Sequence, residues 1–419
     1  MKVLLLSTYM GGGAANCAIR LGEALQSSSL GLSVKMMVRK GTKNNWVFPL
    51  EGLDKLKGDF SFVAERAYFL PFEKNKKIRW AFSPNNVGVD ITHHPLVKEA
   101  DVIHLHWVNH GFITVDTIKK LAALGKPIIW SMHDMWIFTG GCHYSGSCRN
   151  FEQACGNCQF LKIPSENDIT KGILAEKLSK LKNKNIRFVG SSKWLASEAR
   201  KSKLLKNEHV TDMVTPVNTS FFRPIEGPTL RSELGISSSK KVILFLAMSA
   251  EDERKGFQYL LQALILLGQQ STKPDFEIII VGKSNSKHFT EVPFPIHLLG
   301  LVSDKSRIVE AYNAANVFVI PSLEDNLPNT IMESLACGTP VVGFNTGGIP
   351  EMIDHKKTGY VAEFKNAQDL ARGIQWVLDE EGVTSAELKS NSRIKAESHY
   401  SYPVVAKKYF DLYNEVLKS

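Results

Sequence analysis

The stretch Val317-Phe318-Val319-Ile320-Pro321-Ser322-Leu323-Glu324-Asp325-Asn326-Leu327-Pro328-Asn329-Thr330-Ile331-Met332-Glu333-Ser334-Leu335-Ala336-Cys337-Gly338-Thr339-Pro340-Val341-Val342-Gly343-Phe344 decides how this chain folds. Val317–Ile320 is a short, unbroken, β-branched apolar run, the pattern of a parallel strand covered on both faces. A polar loop follows, a helix is expected from about Asn329 to Cys337, and Val341–Phe344 reads as a second strand. Two parallel strands joined through a helix are the unit of an open α/β sheet.

The same alternation extends in both directions. Downstream of the midpoint, Val242–Ala247, Glu277–Val281 and His297–Leu299 read as further strands, with helices near 256–269, 304–314 and 367–378. Upstream, Val3–Thr8, Val34–Arg39, Val102–His106, Ile128–Met132 and Arg187–Ser192 read as strands, the first followed by a helix over about 14–26. The expectation is α/β, one doubly wound Rossmann-like sheet in each half. The turn-rich segment Thr215-Pro216-Val217-Asn218-Thr219 through Pro224-Ile225-Glu226-Gly227-Pro228 marks the junction. Domains of 1–222 and 223–401 are expected, with an amphipathic helix over about 402–419 packing back on the first. In such sheets ligands bind outside the carboxyl ends of the strands, so two facing domains share one central cleft, suited to two substrates.

Composition bounds the possibilities. Of 419 residues, 43% are hydrophobic and 22% charged, which excludes a disordered chain, a collagen-like fibre and a disulfide-stapled miniprotein. No apolar run approaches the roughly 18–20 residues of a membrane span. The run Val3-Leu4-Leu5-Leu6 is too short for a signal-peptide core, and a cytoplasmic location is expected. Residues 1–225 hold 31 Lys and Arg against 18 Asp and Glu, and residues 226–419 hold 20 against 24. A basic half suits an anionic partner, or simply solubility. No nucleic-acid motif accompanies the charge, so nucleic acid is not an expected partner.

Three constellations carry candidate chemistry. Gly11-Gly12-Gly13 follows the first strand and opens a helix, where Gly12 and Gly13 present exposed amides to an anion or make only a tight turn. In the quoted loop, Glu324 and Asp325 can accept hydrogen bonds from sugar hydroxyls. Glu333 lies one helical turn in, and the amides near Asn329 and Thr330 offer a seat for a diphosphate. Helix capping by the same side chains is the plainer alternative. Arg254 and Lys255 sit at another strand's carboxyl end, where cations neutralise a leaving diphosphate or form a solvated charge run.

In combination these residues resemble a known family. Lys255-Gly256, Gly300, Pro321-Ser322, the acidic loop, Glu333 through Val342 and Gly347-Gly348-Ile349-Pro350-Glu351 resemble the retaining GT-B glycosyltransferases of family 4. His104-Leu105-His106-Trp107 and His133-Asp134-Met135-Trp136, with the cysteines that follow, resemble bacterial exopolysaccharide, O-antigen and colanic-acid-type transferases. The resemblance implies sugar transfer from a UDP- or GDP-sugar donor to a glycan or lipid-linked acceptor, with retained anomeric configuration. It gives Glu333 the nucleotide ribose and Asp325 the transferred sugar, one carbon shorter than the family's Glu. His133 would bind the donor sugar or emerging charge, and Lys255 the diphosphate. The family's Arg position falls on Ala250, leaving Arg254 as its stand-in, and Pro328 replaces a family Gly. No cofactor is required for catalysis, since protein cations neutralise the leaving group. A nucleotide-sugar epimerase and a nucleotide-sugar-binding protein without transferase activity are the rival readings.

Four cysteines fall in Cys142-x5-Cys148-x6-Cys155-x2-Cys158, a set that suits a structural zinc, two local disulfides or four buried thiols. Trp107, Asn109 and His110 end a strand where an acceptor would bind, and Trp136 and Tyr144 are either sugar-stacking rings or core. Segments 171–187 and 193–207 interleave lysines with Leu and Ile, reading as solvated helix faces or a peripheral contact with an anionic membrane.

Overall fold

A computed structural model describes residues 1–226, 230–270, 274–285, 289–380 and 382–418. Gly227 and Pro228 of the expected junction, and Ser419, lie outside the described residues. The chain separates into two compact units, Met1–Pro216 with Val405–Ser419, and Val217–Val404.

The first unit is built on seven strands: β1 (Lys2–Tyr9), β2 (Ser33–Lys40), β3 (Val47–Pro49), β4 (Val102–Leu105), β5 (Ile128–Met132), β6 (Ile186–Gly190) and β7 (Val210–Asp212). They lie in the order β3-β2-β1-β4-β5-β6-β7, with every pair parallel. Parallel pairing requires crossovers, and helices cover both faces, which is why Val3–Leu6 and Ile128–Met132 are buried without alternation. The order reverses at β1 and β4, the switch point where such sheets bind ligands. Two expected strands end early: β4 at Leu105 and β6 at Gly190, which leaves His106 and Ser191 in loops.

The helix Tyr402–Lys418 packs on this sheet through Val405, Ala406, Tyr409, Leu412, Tyr413 and Val416. These positions follow the helical period, so one face is apolar. Its two buried phenols are satisfied by the sheet. Tyr413 Oη lies 2.8 Å from His104 Nδ1, and Tyr409 Oη 3.2 Å from Ser131 Oγ.

The second unit repeats the plan with six parallel strands: β8 (Lys241–Ser249), β9 (Phe276–Lys283), β10 (Ile296–Gly300), β11 (Val317–Ile320), β12 (Val341–Phe344) and β13 (Gly359–Ala362). Their order is β10-β9-β8-β11-β12-β13, again reversing beside the first strand in sequence. Helices Phe257–Gly268 and Ala367–Leu378 bury Leu260, Leu264, Leu370 and Ile374 in the core over Ile243, Ile278 and Val342. Asn366 caps the second of these, accepting from the Asp369 amide, a contact typically worth about 1 kcal/mol. Two parallel Rossmann-like sheets, each closed by its own core, are therefore the architecture.

Candidate active site

In the second unit, the loops leaving β8, β11 and β12 converge at the strands' carboxyl ends. After β8, Glu253–Lys255 form a single 3₁₀ turn, with Asp252 accepting from the Arg254 amide at 3.1 Å. Gly256 then turns the chain with φ +63, and a Cβ there would lie 1.8 Å from the Pro321 carbonyl oxygen. Only glycine permits both the left-handed backbone and that approach. The close packing, with Leu323 N–H donating to Arg254 O at 2.7 Å, ties the loop after β8 to the loop after β11. It places Lys255 Nζ 2.7 Å from Asp325 Oδ2, across seventy positions of sequence. The two side chains keep 29% and 15% of their exposure, so the pair meets solvent.

The loop after β12 fixes Asp325 from the other side. Gly348 N–H donates to the Asp325 carbonyl at 3.2 Å, and Gly347, at φ +55, lies where a Cβ would strike that oxygen. The helix Asn329–Ala336 begins immediately beyond. Its N-cap is Pro328, which offers no side-chain acceptor, so the capping alternative does not hold for that position. The helix dipole and first-turn amides at Asn329 and Thr330 favour an anion there. Glu333 is buried, and its Oε2 accepts from the Tyr312 hydroxyl at 3.1 Å. Tyr312 is itself fully buried, so the carboxylate is positioned rather than free to swing.

Two expectations are adjusted here. Arg254 does not join Lys255: its guanidinium pairs with Asp252 of its own turn at 3.0 Å and is about half exposed. Of the adjacent carboxylates, Asp325 meets the lysine, while Glu324 is half-buried beside it.

The first unit gathers a second cluster at the carboxyl ends of β1, β4, β5 and β6. Gly11, Gly12 and Gly13 are exposed, nothing lies within 4 Å of a Cβ added to any of them, and Gly12 is the N-cap at φ +93. His133 follows β5, with Nε2 3.0 Å from His106 Nδ1 and Nδ1 3.3 Å from Ser191 Oγ. His104, His106 and His133 stack with centroids 4.3 and 5.3 Å apart. Burial pushes His104 down to about 3 and His133 down to about 4. Burial thus favours the neutral imidazole of His133 in this arrangement.

His106, Trp107, Asn109, His133, Asp134 and Trp136 wall one cavity. Trp107 Nε1 donates to Asp134 Oδ2 at 2.9 Å, and His143 Nδ1 lies 2.7 Å from the same oxygen. Burial works to raise the Asp134 pKa, but His143 and the Trp136 and Trp107 donors outweigh it and hold the carboxyl low. His110 adopts φ +55 and lies among Tyr9, Phe62, Trp80 and Trp107, nearest to Trp107 at 4.6 Å between centroids. Its Nε2 and Asn109 Oδ1 are buried without a hydrogen-bond partner, the condition of groups awaiting a ligand or water. Sequence reasoning did not single out Ser191, His106 or Asp134 for roles. The Ser-Ser pair after β6 was the available signal, hidden by extending that strand to Ser192. Trp136 is core: it is buried, donates to Ser83 O at 2.8 Å and lies under Lys177.

Cys142, Cys148, Cys155 and Cys158 all line one pocket in the first unit, and none is in a disulfide. Cys155, Gly156 and Asn157 have positive φ, a tight knuckle that turns Cys155 and Cys158 to the same side. Burial pushes Cys155 up to about 11 and Cys158 up to about 12. As the side chains stand, no group of three or more His, Cys, Asp or Glu among the described residues is arranged to hold a metal ion.

Comparison with known proteins agrees with the fold. The chain superposes over its full length on a glycosyltransferase from Rickettsia africae, at TM-score 0.66, 16% identity and 99% of that chain. It covers 100% of Anabaena HepE, a structure in complex with UDP, at TM-score 0.64 and 16% identity, over 99% of this chain. The two Rossmann-like domains are thus those of the GT-B architecture. Residues 240–380, within the second unit, match the family profile described as Glycosyl transferases group 1. An uncharacterized glycosyltransferase of Methanocaldococcus jannaschii is 24% identical over 76% of each chain. An N,N'-diacetylbacillosaminyl-diphospho-undecaprenol alpha-1,3-N-acetylgalactosaminyltransferase of Campylobacter jejuni is 27% identical over 48% of this chain and 53% of its own length.

Proposed function

We propose that the protein is a retaining glycosyltransferase that moves a sugar from a UDP- or GDP-sugar to a glycan or lipid-linked acceptor in cell-surface polysaccharide or glycoconjugate assembly. The observation that carries this reading is the Lys255–Asp325 pair beside the N-terminus of Asn329–Ala336, with Glu333 held one turn inside. Supporting it are the group 1 profile, the UDP bound to HepE and the diphospho-undecaprenol in the name of the Campylobacter relative.

In this reading the diphosphate sits on the first-turn amides and draws Lys255 from Asp325. Glu333, oriented by Tyr312, receives the ribose hydroxyls, and Asp325 or Glu324 the transferred sugar. As the sugar–phosphate bond lengthens, charge grows on the phosphate oxygens, and fixed donors stabilise it most at that moment. The acceptor hydroxyl attacks on the leaving-group face and gives its proton to the departing phosphate. His133 binds the donor sugar or the emerging charge. Cations of the chain take the part a metal ion plays elsewhere.

The cysteine loop is proposed to hold a structural zinc. Four thiols line one pocket, and a closed tetrahedral site would require them to draw together from where they stand. The experiment that tests the main reading is nucleotide release from a panel of UDP- and GDP-sugars. A donor-specific, acceptor-stimulated release supports it. Epimerisation of the donor without release would assign the epimerase instead, and nucleotide binding with no turnover a binding protein.

A further inference from the structure

His106 and Asn109 follow β4 at its carboxyl end and wall one cavity with His133, which follows β5. The cavity offers about 20 Å³ to the centre of a water molecule, enough for one. Both side chains are buried, His106 at 2% exposure and Asn109 at 1%. His106 Nε2 and Asn109 Oδ1 have no hydrogen-bond partner among the described residues. Native proteins rarely leave such atoms unpaired, and two on the same cavity share one remedy.

The hydrogens follow from the chain of donors. Ser191 Oγ donates to the Met132 carbonyl at 2.7 Å. A hydroxyl has one hydrogen, so toward His133 Nδ1, at 3.3 Å, the same oxygen accepts. His133 Nδ1 therefore carries the proton. Burial favours the neutral ring, which leaves His133 Nε2 bare to accept from His106 Nδ1 at 3.0 Å. Burial pushes His106 down as well, so its own Nε2 is bare. Asn109 Oδ1 is an amide oxygen and only accepts. Both unpaired atoms thus lack a hydrogen, and only a donor satisfies them.

The frame around the cavity is pinned. His106 N–H donates to Leu6 O at 2.9 Å, and its carbonyl accepts from Trp130 Nε1 at 3.2 Å. Its ring stacks with both His104 and His133. Thr8 Oγ1 donates to the Asn109 carbonyl at 2.7 Å. Two nearby donors are already engaged, since Trp107 Nε1 and Trp136 N–H both point to Asp134, each at 2.9 Å. The missing hydrogens must come from a molecule in the cavity, and a space of one water's size excludes a sugar ring.

We infer that this cavity binds one water that donates to His106 Nε2 and Asn109 Oδ1 and closes a relay from water through His106 and His133 to Ser191, with both imidazoles in the Nδ1–H form. His106 and Asn109 are then positioning residues, which act on the donor sugar by fixing the tautomer and ring plane of His133. The effect on turnover rests on the transferase reading; the water and the tautomers do not.

The test combines heteronuclear NMR of the intact protein, labelled in its histidine ring nitrogens and free of donor and acceptor, with a crystal structure that shows ordered waters. Both His106 and His133 are expected to have a protonated Nδ1 and a bare Nε2, and one water is expected within hydrogen-bond distance of both unpaired atoms. His106→Asn keeps an N–H where Nδ1 stands, and His106→Leu, of similar size, removes it. The Asn variant is expected to preserve the His133 tautomer and most of the nucleotide release from the preferred donor. The Leu variant is expected to mix the tautomers and lower kcat by about tenfold or more, with the donor KM and the circular dichroism unchanged. An Nε2–H form of either histidine, no water shared by the two atoms, or equal loss of turnover in the two variants overturns the inference. If neither variant folds, the tautomers and the water of the intact protein decide it alone. The expected water and tautomers in a protein that releases no nucleotide would remove the transferase reading and leave the relay standing.

Discussion

Replacing Lys255 by Met keeps the aliphatic stem and removes the cation that faces Asp325 Oδ2 at 2.7 Å. At that distance, with an effective dielectric near 20, the gross attraction is about 6 kcal/mol. Both side chains keep contact with water, 29% and 15% exposed, so most of it is screened. Partly exposed pairs contribute roughly 1 kcal/mol net or less, and the variant should lose no more than about 2–4 °C in Tm. Catalysis should respond far more strongly. If Lys255 meets charge that develops only as the diphosphate leaves, its loss should cost about 100- to 1,000-fold in kcat/KM, comparable with removing one oxyanion donor. The assay is nucleotide release from the preferred donor, with Tm measured on the same preparation. A folded Lys255→Met protein with near-normal turnover refutes the assignment. A Tm loss several times larger, with proportionate loss of activity, would make the pair a structural tie instead.

Gly256→Ala should act on the same pair from a distance, because its Cβ would lie 1.8 Å from Pro321 O at φ +63. We expect a stability loss on the order of 2 kcal/mol or more and weaker nucleotide binding, read by chemical unfolding and calorimetry. Acid should destabilise the first unit well above the carboxylate range. His104, at about 3 when folded, binds its proton near pH 6.5 when unfolded, so its contribution is complete above that value and falls as pH drops toward 3. Each such histidine adds up to about 1.4 kcal/mol per pH unit, and His104→Gln should lower the slope of unfolding free energy between pH 6 and 4.5 by one proton. An unchanged slope would contradict the burial argument. Tag-free protein should contain one zinc per chain, and Cys155→Ser with Cys158→Ser should abolish it and lower Tm; protein that binds no zinc refutes the metal reading.

Much of this was legible in the chain because parallel strands advertise themselves. Val317–Ile320 and Val341–Phe344 are buried on both faces, and their short runs without charged or polar side chains gave the correct bounds. Short edge strands carried no such signal: Val47–Pro49 and Val210–Asp212 have three residues each, and Gly359–Ala362 opens on glycine. Lys255, Asp325 and Glu333 were legible through the resemblance of their loops. Their partners were not, since Tyr312 for Glu333 and Gly348 for Asp325 come from other elements and are set by tertiary packing. The helix Gly52–Phe69 was not read from the sequence, although Leu53, Leu56, Phe60 and Val63 recur at the three- and four-residue spacing of a helix. Arg254 was expected as the stand-in for the family Arg that falls on Ala250, and here its guanidinium closes on Asp252 of its own turn.

The central claim is that the second unit grips a nucleoside diphosphate through Lys255, Glu333 and the start of Asn329–Ala336. Isothermal titration of UDP and GDP into the intact protein, Lys255→Met and Glu333→Ala measures this directly. The account predicts saturable binding of at least one nucleotide and at least tenfold weaker binding by each variant. No heat from either nucleotide, or equal affinity in all three proteins, contradicts it.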